Sequence, residues 1–236
     1  PLFFPGGDIG SLAVYGTVND LAVAGARPCW LSVSFIIEEG LSVETLARVL
    51  QSLRRAVERS HVKVVAGDTK VVPRGAADGL FITTSGIGEL LDPVPPGPAA
   101  LAAGDELLVS GPVGRHGIAI LSAREGLGFD PPPASDCGPL FAAVDALRRG
   151  GVPVRCLRDA TRGGVAAVLH EWSHASGKTL SIHEASVPLT AEVRGACELL
   201  GLDPLHMANE GTMLIAVPAG EAERATEVLR RLRLEL

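Results

Sequence analysis

The sequence predicts a two-lobed α+β (α/β) protein in which helices alternate with strands on both sides of a proline-rich connection. Four prolines within residues 92–98 prevent regular strand pairing there and stiffen the chain. A length of 236 residues suits one large or two compact domains, and a composition that is 47% hydrophobic but only 4% aromatic requires an aliphatic core. We therefore predict a first domain at 1–92, a linker at 93–104 and a second domain at 105–236.

Hydrophobic periodicity predicts the elements of the first domain. A small-residue pattern indicates a helix from residue 11 to about 24, and alternation indicates a strand over 31–37. Ser42 can cap a second helix, in which apolar residues recur at helical spacing. Short apolar runs at 62–66 and 79–88 predict two further strands, the first of which ends in a turn that begins at Gly67.

The second domain shows the same mixture of patterns. Strands are predicted over 106–110 and 212–217, and the three prolines at 131–133 indicate a loop. No internal repeat of fixed period is present. Helices are expected near 117–126, 138–149, 164–176, 190–200 and 220–232.

Composition excludes several classes of function. The net charge is −6 and no basic stripe offsets it, so we expect no nucleic-acid partner. No apolar run approaches the roughly 18 residues that span a membrane, and no signal peptide is recognisable. The four cysteines are widely separated and lack CxxC spacing, which favours a reducing compartment. We therefore expect a cytoplasmic protein. Because both ends are apolar and uncapped, we also expect a fragment of a longer protein.

The heptapeptide RDATRGG combines several groups that bind phosphate or a cation. Asp159 can hold a hard cation, Thr161 and Arg162 can donate to phosphate oxygens, and Gly163 and Gly164 allow backbone N–H groups to approach an anion. A strong helical pattern follows at once, so the segment directs a helix N-terminus at whatever binds there. The pattern predicts nucleotide chemistry.

Two acidic segments upstream, TVND and GDTK, support this interpretation when they are taken as turns. Asp20, Asp68 and Asp159 could then together bind Mg²⁺, which prefers carboxylates, water and phosphate oxygens, and Lys70 would lie beside the metal–phosphate cluster. The alternative is that each aspartate only caps a helix. A further turn, Asn209-Glu210-Gly211, precedes an apolar strand, and Glu210 is either a general base or part of an ordinary turn.

The segment HEWSH matches the H-E-x-x-H pattern of zinc proteases on a predicted helix. Leu180 stands where the third histidine of the longer form of that pattern belongs, and a catalytic zinc needs three protein ligands. Apolar periodicity predicts that this helix buries Val165, Val168, Leu169, Trp172 and Ala175, which leaves His170 and His174 on its flank. We interpret the match as chance, with a zinc peptidase as an alternative.

The chain resembles the HypE family of hydrogenase maturation factors, within the AIR-synthetase (PurM-like) superfamily. The segments that carry the resemblance are PLFFPGGDIGSLAVYGTVNDLAVAGARP, FIIEEG, VVAGDTKVVPRGAADGLFITTSGIG, GRHGIAI, RDATRGGVAAVLHEW and LGLDPLHMANEG. The resemblance implies a PurM-like architecture, with an N-terminal lobe that pairs into a dimeric β-barrel and a C-terminal α/β sandwich lobe. It also implies an ATP-dependent dehydratase, which converts a carbamoylated C-terminal cysteine into a thiocyanate that supplies cyanide to the iron of NiFe hydrogenase.

The resemblance further implies cofactors, roles and partners. Asp20, Asp68 and Asp159 would bind Mg²⁺ and ATP, and Lys70 and Glu210 would move protons from the carboxamide nitrogen. The implied partners are a second copy of the chain, a HypF-type carbamoyltransferase and a HypC–HypD-type iron scaffold. The residues that would line the nucleotide or tail channel are Gly6, Gly7, Asp8, Asn19, Thr69, Thr161, Arg162, Gly163 and Gly164.

Two segments of the family pattern would fall outside the chain. The family's metal-binding Thr-Thr-Asp segment would precede residue 1, and its Pro-Arg-Ile-Cys-type tail would follow residue 236. We therefore expect the chain to be unable to complete the reaction on itself. A small-molecule kinase or ligase of the same superfamily, resembling selenophosphate synthetase or thiamine-monophosphate kinase, is the alternative enzyme. A binding module without turnover is the alternative outside catalysis.

Overall fold

The computed structural model describes residues 1–235. Strands and helices alternate through both halves, so the predicted α+β class is confirmed. Three single turns of 3-10 helix lie in the connections of the second half. The elements along the described chain are β1 Phe3–Phe4, β2 Gly7–Asp8, α1 Ile9–Val23, β3 Ala26–Glu38, α2 Val43–Arg59, β4 Lys63–Val72, β5 Leu80–Leu90, β6 Glu106–Val109, α3 Arg115–Glu125, α4 Phe141–Arg149, β7 Cys156–Asp159, α5 Gly164–Ser176, α6 Ala191–Leu200, β8 Met213–Val217 and α7 Ala222–Glu235.

The first half is a three-stranded sheet with two helices on one face. The strand order is β4-β3-β5, with β3 parallel to β4 and antiparallel to β5. Val14 of α1 and Leu53 of α2 pack against Leu31 and Val33 of β3 in one buried cluster. Ser42 caps α2 as predicted, since its side chain accepts a hydrogen bond from the backbone N–H of Thr45.

The second half places an antiparallel sheet between two layers of helix. Its strand order is β6-β8-β7, and every residue of β8 is buried. Because successive side chains of a strand point to opposite faces, Met213 and Ile215 pack with α4 and α7, whereas Leu214 and Ala216 pack with α5. The central strand is therefore covered on both faces.

Helix α1 joins the two halves. Its last turns carry Ala22 and Val23 into the same buried cluster as Leu140 and Val144 of the second half. Its first turns pack instead on the sheet of the first half. The C-terminal end of α1 therefore lies at the junction between the halves.

Two segments that the sequence presented as turns are regular structure. TVND lies inside α1, and GDTK continues β4 without a break. Gly67 serves close packing rather than a turn, because a Cβ at that position would lie 2.5 Å from the carbonyl oxygen of Val33. The structure also contains β7, a strand that the sequence patterns did not predict. The predicted helix at 164–176, in contrast, has the bounds of α5.

Candidate functional site

Carboxylates from both halves of the chain come together at the junction. Asp20 lies near the end of α1, Asp159 ends β7, and Glu210 lies in the loop before β8. The side chain of Asp159 is buried, and burial followed by the negative charge of Asp20 raises the pKa of its carboxyl. Desolvation also raises the pKa of Asp20, while the charge of Arg158 opposes the shift. Ionisation of the Asp20–Asp159 pair is therefore unfavourable, because the two carboxyl groups are partly desolvated and their negative charges repel each other.

Glu210 is the most strongly perturbed of these carboxyls. Burial raises its pKa to about 8, and the charges of Asp136, Asp159 and Asp20 contribute in the same direction. Asp136 fixes the loop around it, since its two oxygens accept from the backbone N–H groups of Glu210 and Gly211, each at 3.0 Å. Glu210 can therefore exchange a proton near neutral pH.

Asn209 anchors the same loop from the other side. Its side-chain oxygen accepts from the N–H of Gly114 at 2.7 Å, and its amide nitrogen donates to the carbonyls of Ala160 and Met207 at 2.9 and 3.1 Å. The side chain is fully buried. Asn209 thus holds the Glu210 loop against the end of β7, and we assign it an anchoring role.

Asn19 ties the two halves together at the cluster. Its amide nitrogen donates to the carbonyls of Gly138 and Glu210 at 3.0 and 3.3 Å, and its oxygen accepts from the N–H of Leu140 at 2.8 Å. With 2% of its surface exposed, the side chain is committed to these bonds. Its contact with a nucleotide stays a prediction.

The start of α5 lies immediately after Asp159. Gly163 and Gly164 both adopt left-handed backbone conformations, and a Cβ on Gly164 would lie 2.4 Å from the carbonyl oxygen of Leu205. Thr161 is half-buried and Arg162 is exposed. The helix N-terminus therefore lies next to Asp159, so an anion and a cation could bind side by side.

The Gly6-Gly7-Asp8 segment lies at the opposite end of α1. Asp8 caps that helix, because its carboxylate accepts from the N–H groups of Gly10 and Ser11 at 2.8 and 3.1 Å. At 1.5 Å per residue, Asp8 and Asp20 are separated by about 18 Å along the helix. Asp8 therefore caps a helix. The structure does not bring Gly6, Gly7 and Asp8 to the acidic cluster.

Within one chain, Asp68, Thr69 and Lys70 also lie outside the acidic cluster. All three are exposed on the edge strand β4, where the carboxylate of Asp68 accepts from the N–H of Thr69 at 2.8 Å. The charges that shift the pKa of Asp20 and Asp159 do not include Asp68 or Lys70. Their roles in metal binding and proton transfer stay predictions.

The H-E-x-x-H match lies on the outer surface of α5. His170, Glu171 and His174 are exposed, and Glu171 faces Arg158 at 3.6 Å. Ala175 is exposed too, contrary to the predicted buried stripe. Across residues 1–235, no three His, Cys, Asp or Glu side chains are arranged to hold a metal ion. Any cation at the Asp20–Asp159 pair would therefore complete its coordination with water and phosphate oxygens, as Mg²⁺ commonly does.

Comparison with known proteins identifies the family. The family model described as AIR synthase related protein, N-terminal domain, matches residues 1–90, and the corresponding C-terminal domain model matches residues 102–236. The carbamoyl dehydratase HypE of Azotobacter vinelandii is 50% identical over 98% of this chain and 67% of its own length. The chain belongs to the HypE family.

Solved HypE structures share the fold over nearly the whole chain. A HypE structure described as a complex with ATP is 48% identical, with a TM-score of 0.94 over 98% of this chain and 69% of that chain. A structure described as a HypE–HypF complex is 47% identical, with a TM-score of 0.94 over 98% of this chain and 76% of that chain. This HypE-family chain thus spans about two thirds of the length of the curated relative.

One of the alternative enzyme classes, thiamine-monophosphate kinase, shares the fold at low sequence identity. A thiamine monophosphate kinase from Aquifex aeolicus superimposes with a TM-score of 0.68 over 89% of this chain and 72% of its own, at 22% identity. The similarity to HypE proteins is higher by both measures.

Sequence reasoning missed two polar residues of the candidate site. Asp136 follows a proline-rich loop, and only tertiary contacts bring its carboxylate to the Glu210 loop. Arg158 opens the RDATRGG segment, yet its position between Asp159 and Glu171, at 3.8 and 3.6 Å, depends on the unpredicted strand β7. Its position directly before Asp159 was the only feature of the sequence that pointed to the site.

Proposed function

We propose that this chain catalyses the ATP-dependent dehydration of a carbamoylated C-terminal cysteine to a thiocyanate, which supplies cyanide ligands for the iron of NiFe hydrogenase. Membership in the HypE family, whose relatives are named carbamoyl dehydratases, supports the reaction. The observation that carries the proposal is the cluster of Asp20, Asp159 and Glu210 beside the start of α5. It combines a place for a cation, a place for phosphate and a proton-transfer group.

Asp20 and Asp159 fit a Mg²⁺ ion that is bound together with ATP. Their carboxyls raise each other's energy in the absence of a cation, and a divalent ion would relieve that repulsion. When bound, the ion would neutralise phosphate charge during transfer. Thr161 and Arg162 would donate to phosphate oxygens. The N–H of Gly164 already donates to the carbonyl of Thr161 at 3.0 Å, so Gly163 and Gly164 remain proposed nucleotide contacts through close approach of the backbone. Asn19 and Thr69 remain proposed nucleotide contacts, together with Asp68 as a metal ligand.

The proposed chemistry balances with one ATP per cysteine. The carboxamide oxygen attacks the γ-phosphorus, the bond to ADP breaks, and the oxygen becomes a good leaving group as a phosphate ester. The nitrogen then loses both protons while the carbon–oxygen bond breaks, which leaves a carbon–nitrogen triple bond and free phosphate. Glu210 is the proposed acceptor of a nitrogen proton, and Lys70 the proposed second proton-transfer group.

Three partners and a location complete the proposal. The exposed face of the β4-β3-β5 sheet would pair two copies into a shared β-barrel, with 93–104 as the linker to the second domain. A related HypE has been solved with HypF, which supports a HypF-type carbamoyltransferase as donor of the carbamoyl group. A HypC–HypD-type scaffold would accept the cyanide. The cysteines are free thiols, in agreement with a cytoplasmic location. Within residues 1–235 no helix has the length and apolar character needed to cross a membrane.

Calorimetric titration of ATP tests the site. The chain should bind ATP only when Mg²⁺ is present, and Asp159→Asn should weaken the affinity at least about tenfold, because it removes a charge from the cation site. Asp78→Asn is the matched control, since Asp78 is exposed in the loop between β4 and β5. Equal ATP affinity in the parent and in Asp159→Asn would refute the proposed site.

A further inference from the structure

A cavity of about 360 Å³ lies away from the start of α5, between α1, α2 and the segment that precedes α4. Ser11 and Tyr15 line it from α1, Arg55 and Arg59 from α2, and Cys137 from that segment. Gly6 borders it through the turn before α1. Neither arginine belongs to the acidic cluster, and none of the residues with a role in the proposed reaction lines this cavity.

The two arginines bring positive charge that no carboxylate neutralises. In the described part of the chain, neither Arg55 nor Arg59 forms an ion pair, whereas Arg54 on the same helix pairs with Glu58 at 2.9 Å. Arg59 contacts the hydroxyl of Tyr15. In a protein whose net charge is −6, two unpaired arginines one helical turn apart at a cavity favour an anionic ligand.

The other groups at the cavity do not cancel that charge. Burial raises the pKa of the Cys137 thiol to about 12 and also raises the pKa of Tyr15, so both side chains are neutral. The acids whose charge acts on Cys137 are Glu210, Asp136 and Asp8, and in the described part of the chain none of them forms an ion pair with either arginine. The carboxylate of Asp8 accepts from Gly10 and Ser11 at the start of α1. The cavity therefore offers two cations with a phenol and a thiol beside them.

One residue of the cavity wall, Cys137, belongs to a segment that is bonded to the loop of the proposed base. Cys137 lies between Asp136, which binds the backbone N–H of Glu210, and Gly138, whose N–H donates to the carbonyl of Glu210 at 3.3 Å. The charge of Glu210 in turn acts on the Cys137 thiol. An anion in the cavity would thus be a neighbour of the loop where the carboxamide must be deprotonated.

We propose that Arg55 and Arg59 bind the terminal α-carboxylate of the substrate cysteine and so select a cysteine at a chain end. The inference rests on the proposed function, because a C-terminal cysteine carries both a carboxamide on sulfur and a free carboxylate. Arginine is suited to such recognition, since its planar guanidinium binds carboxylates through paired hydrogen bonds. Both arginines are positioning residues that hold the substrate while Glu210 acts on it.

A binding cycle with two peptides tests the assignment. The probes are a tetrapeptide that ends in S-carbamoylcysteine with a free carboxylate, and the same peptide with a terminal amide. The parent should bind the acid roughly a hundredfold more tightly than the amide, because each of two charge-assisted contacts contributes about tenfold. Arg55→Gln and Arg59→Gln should each reduce acid binding about tenfold and leave amide binding unchanged. Arg54→Gln, on the same helix, should change neither.

The outcomes separate this inference from the proposed function. Equal binding of acid and amide by the parent, or no peptide binding at all, would overturn the inference while the ATP titration stands. A loss of ATP affinity in Arg55→Gln and Arg59→Gln would assign the cavity to a nucleotide phosphate and overturn it as well. Because both arginines are exposed, circular dichroism should show all three variants folded like the parent.

Discussion

Glu210 has the environment of a group that transfers protons near neutral pH. Burial, followed by the charges of three other acids, raises the pKa of its carboxyl to about 8, and its backbone is fixed through Asp136 and Asn19. General bases work best when their pKa lies near the working pH. A cation at Asp20 and Asp159 would lower the pKa by removing repulsion, so that the ionised form becomes available when ATP is bound.

Replacement of Glu210 by Gln should therefore abolish most of the catalytic activity while ATP binding is retained. With the carbamoylcysteine tetrapeptide and ATP, the parent rate should rise with pH through a value at or below about 8, because the base acts only when deprotonated. Glu210→Gln should lose that rise and slow dehydration by roughly 10²–10⁴-fold while it still binds ATP. Mass spectrometry follows the loss of one water from the peptide.

Lys70→Ala is expected to show the same separation of binding from turnover, by a similar factor. Glu125→Gln, at the exposed end of α3, is the control for a change of charge alone. If Glu210→Gln and Lys70→Ala both dehydrate the peptide at the parent's rate, the two residues are structural and the base lies elsewhere.

Some residues of the candidate site could be predicted from the sequence, while Asp136 and the position of Arg158 could not. Asp159 and Glu210 lie in segments whose glycines and polar residues mark them as unusual, and the structure brings both to the junction. Asp136 had no comparable local signal, since its carboxylate accepts hydrogen bonds from two backbone N–H groups that lie 74 and 75 residues away in the sequence. Long-range contacts of this kind have no periodicity that a single sequence displays.

Among the elements, α1 has the largest influence on the site. It carries Asp20 to the cluster, and Asn19 beside it closes the gap between the halves with three hydrogen bonds. The family resemblance implies a nucleotide contact for Asn19, which stays a prediction. In the structure its bonds run to the backbone at Gly138, Leu140 and Glu210, so the residue orients the element that carries the carboxylate.

Asn19→Ala should destabilise the chain by roughly 2–4 kcal/mol, because it leaves the buried N–H of Leu140 and the carbonyl of Gly138 without partners. Urea unfolding measures the free energy of unfolding, with Gln51→Ala on the exposed face of α2 as control. A change below about 0.5 kcal/mol, as is typical of surface sites, would show that water replaces these bonds and that Asn19 is not the connection between the halves.

Strand β4 shows where local patterns mislead. Glycine followed by aspartate and threonine is typical of a turn, but at Gly67 the absence of a side chain permits the close approach of β3 instead. Elements with strong local signals were predicted well, including α5 and the capped α2. Continuation of a strand past a glycine depends on its partner strand, which the local sequence does not contain.

At the scale of the whole molecule, one sheet is covered by helices on only one of its faces. Helices α1 and α2 cover the inner face of the β4-β3-β5 sheet, while large apolar side chains remain exposed on its strands. An exposed edge strand next to such side chains invites pairing with another copy. The exposed apolar residues of the three strands are Trp30, Ile36, Val64, Val65, Val71, Phe81, Ile87 and Leu90.

We therefore expect the chain to form a homodimer through this sheet, and a charge on its edge strand β4 should prevent it. Val65→Asp, at a side chain that is 63% exposed on β4, should convert the dimer to a monomer, because an unpaired carboxylate would be buried in the interface. Val43→Asp is the matched control, since Val43 is 81% exposed at the start of α2, away from the sheet, where aspartate suits the helix N-terminus. Light scattering after size-exclusion chromatography gives the mass of each variant. A parent that is monomeric at tens of micromolar, or a Val65→Asp variant that remains dimeric, would show that copies do not pair through this face.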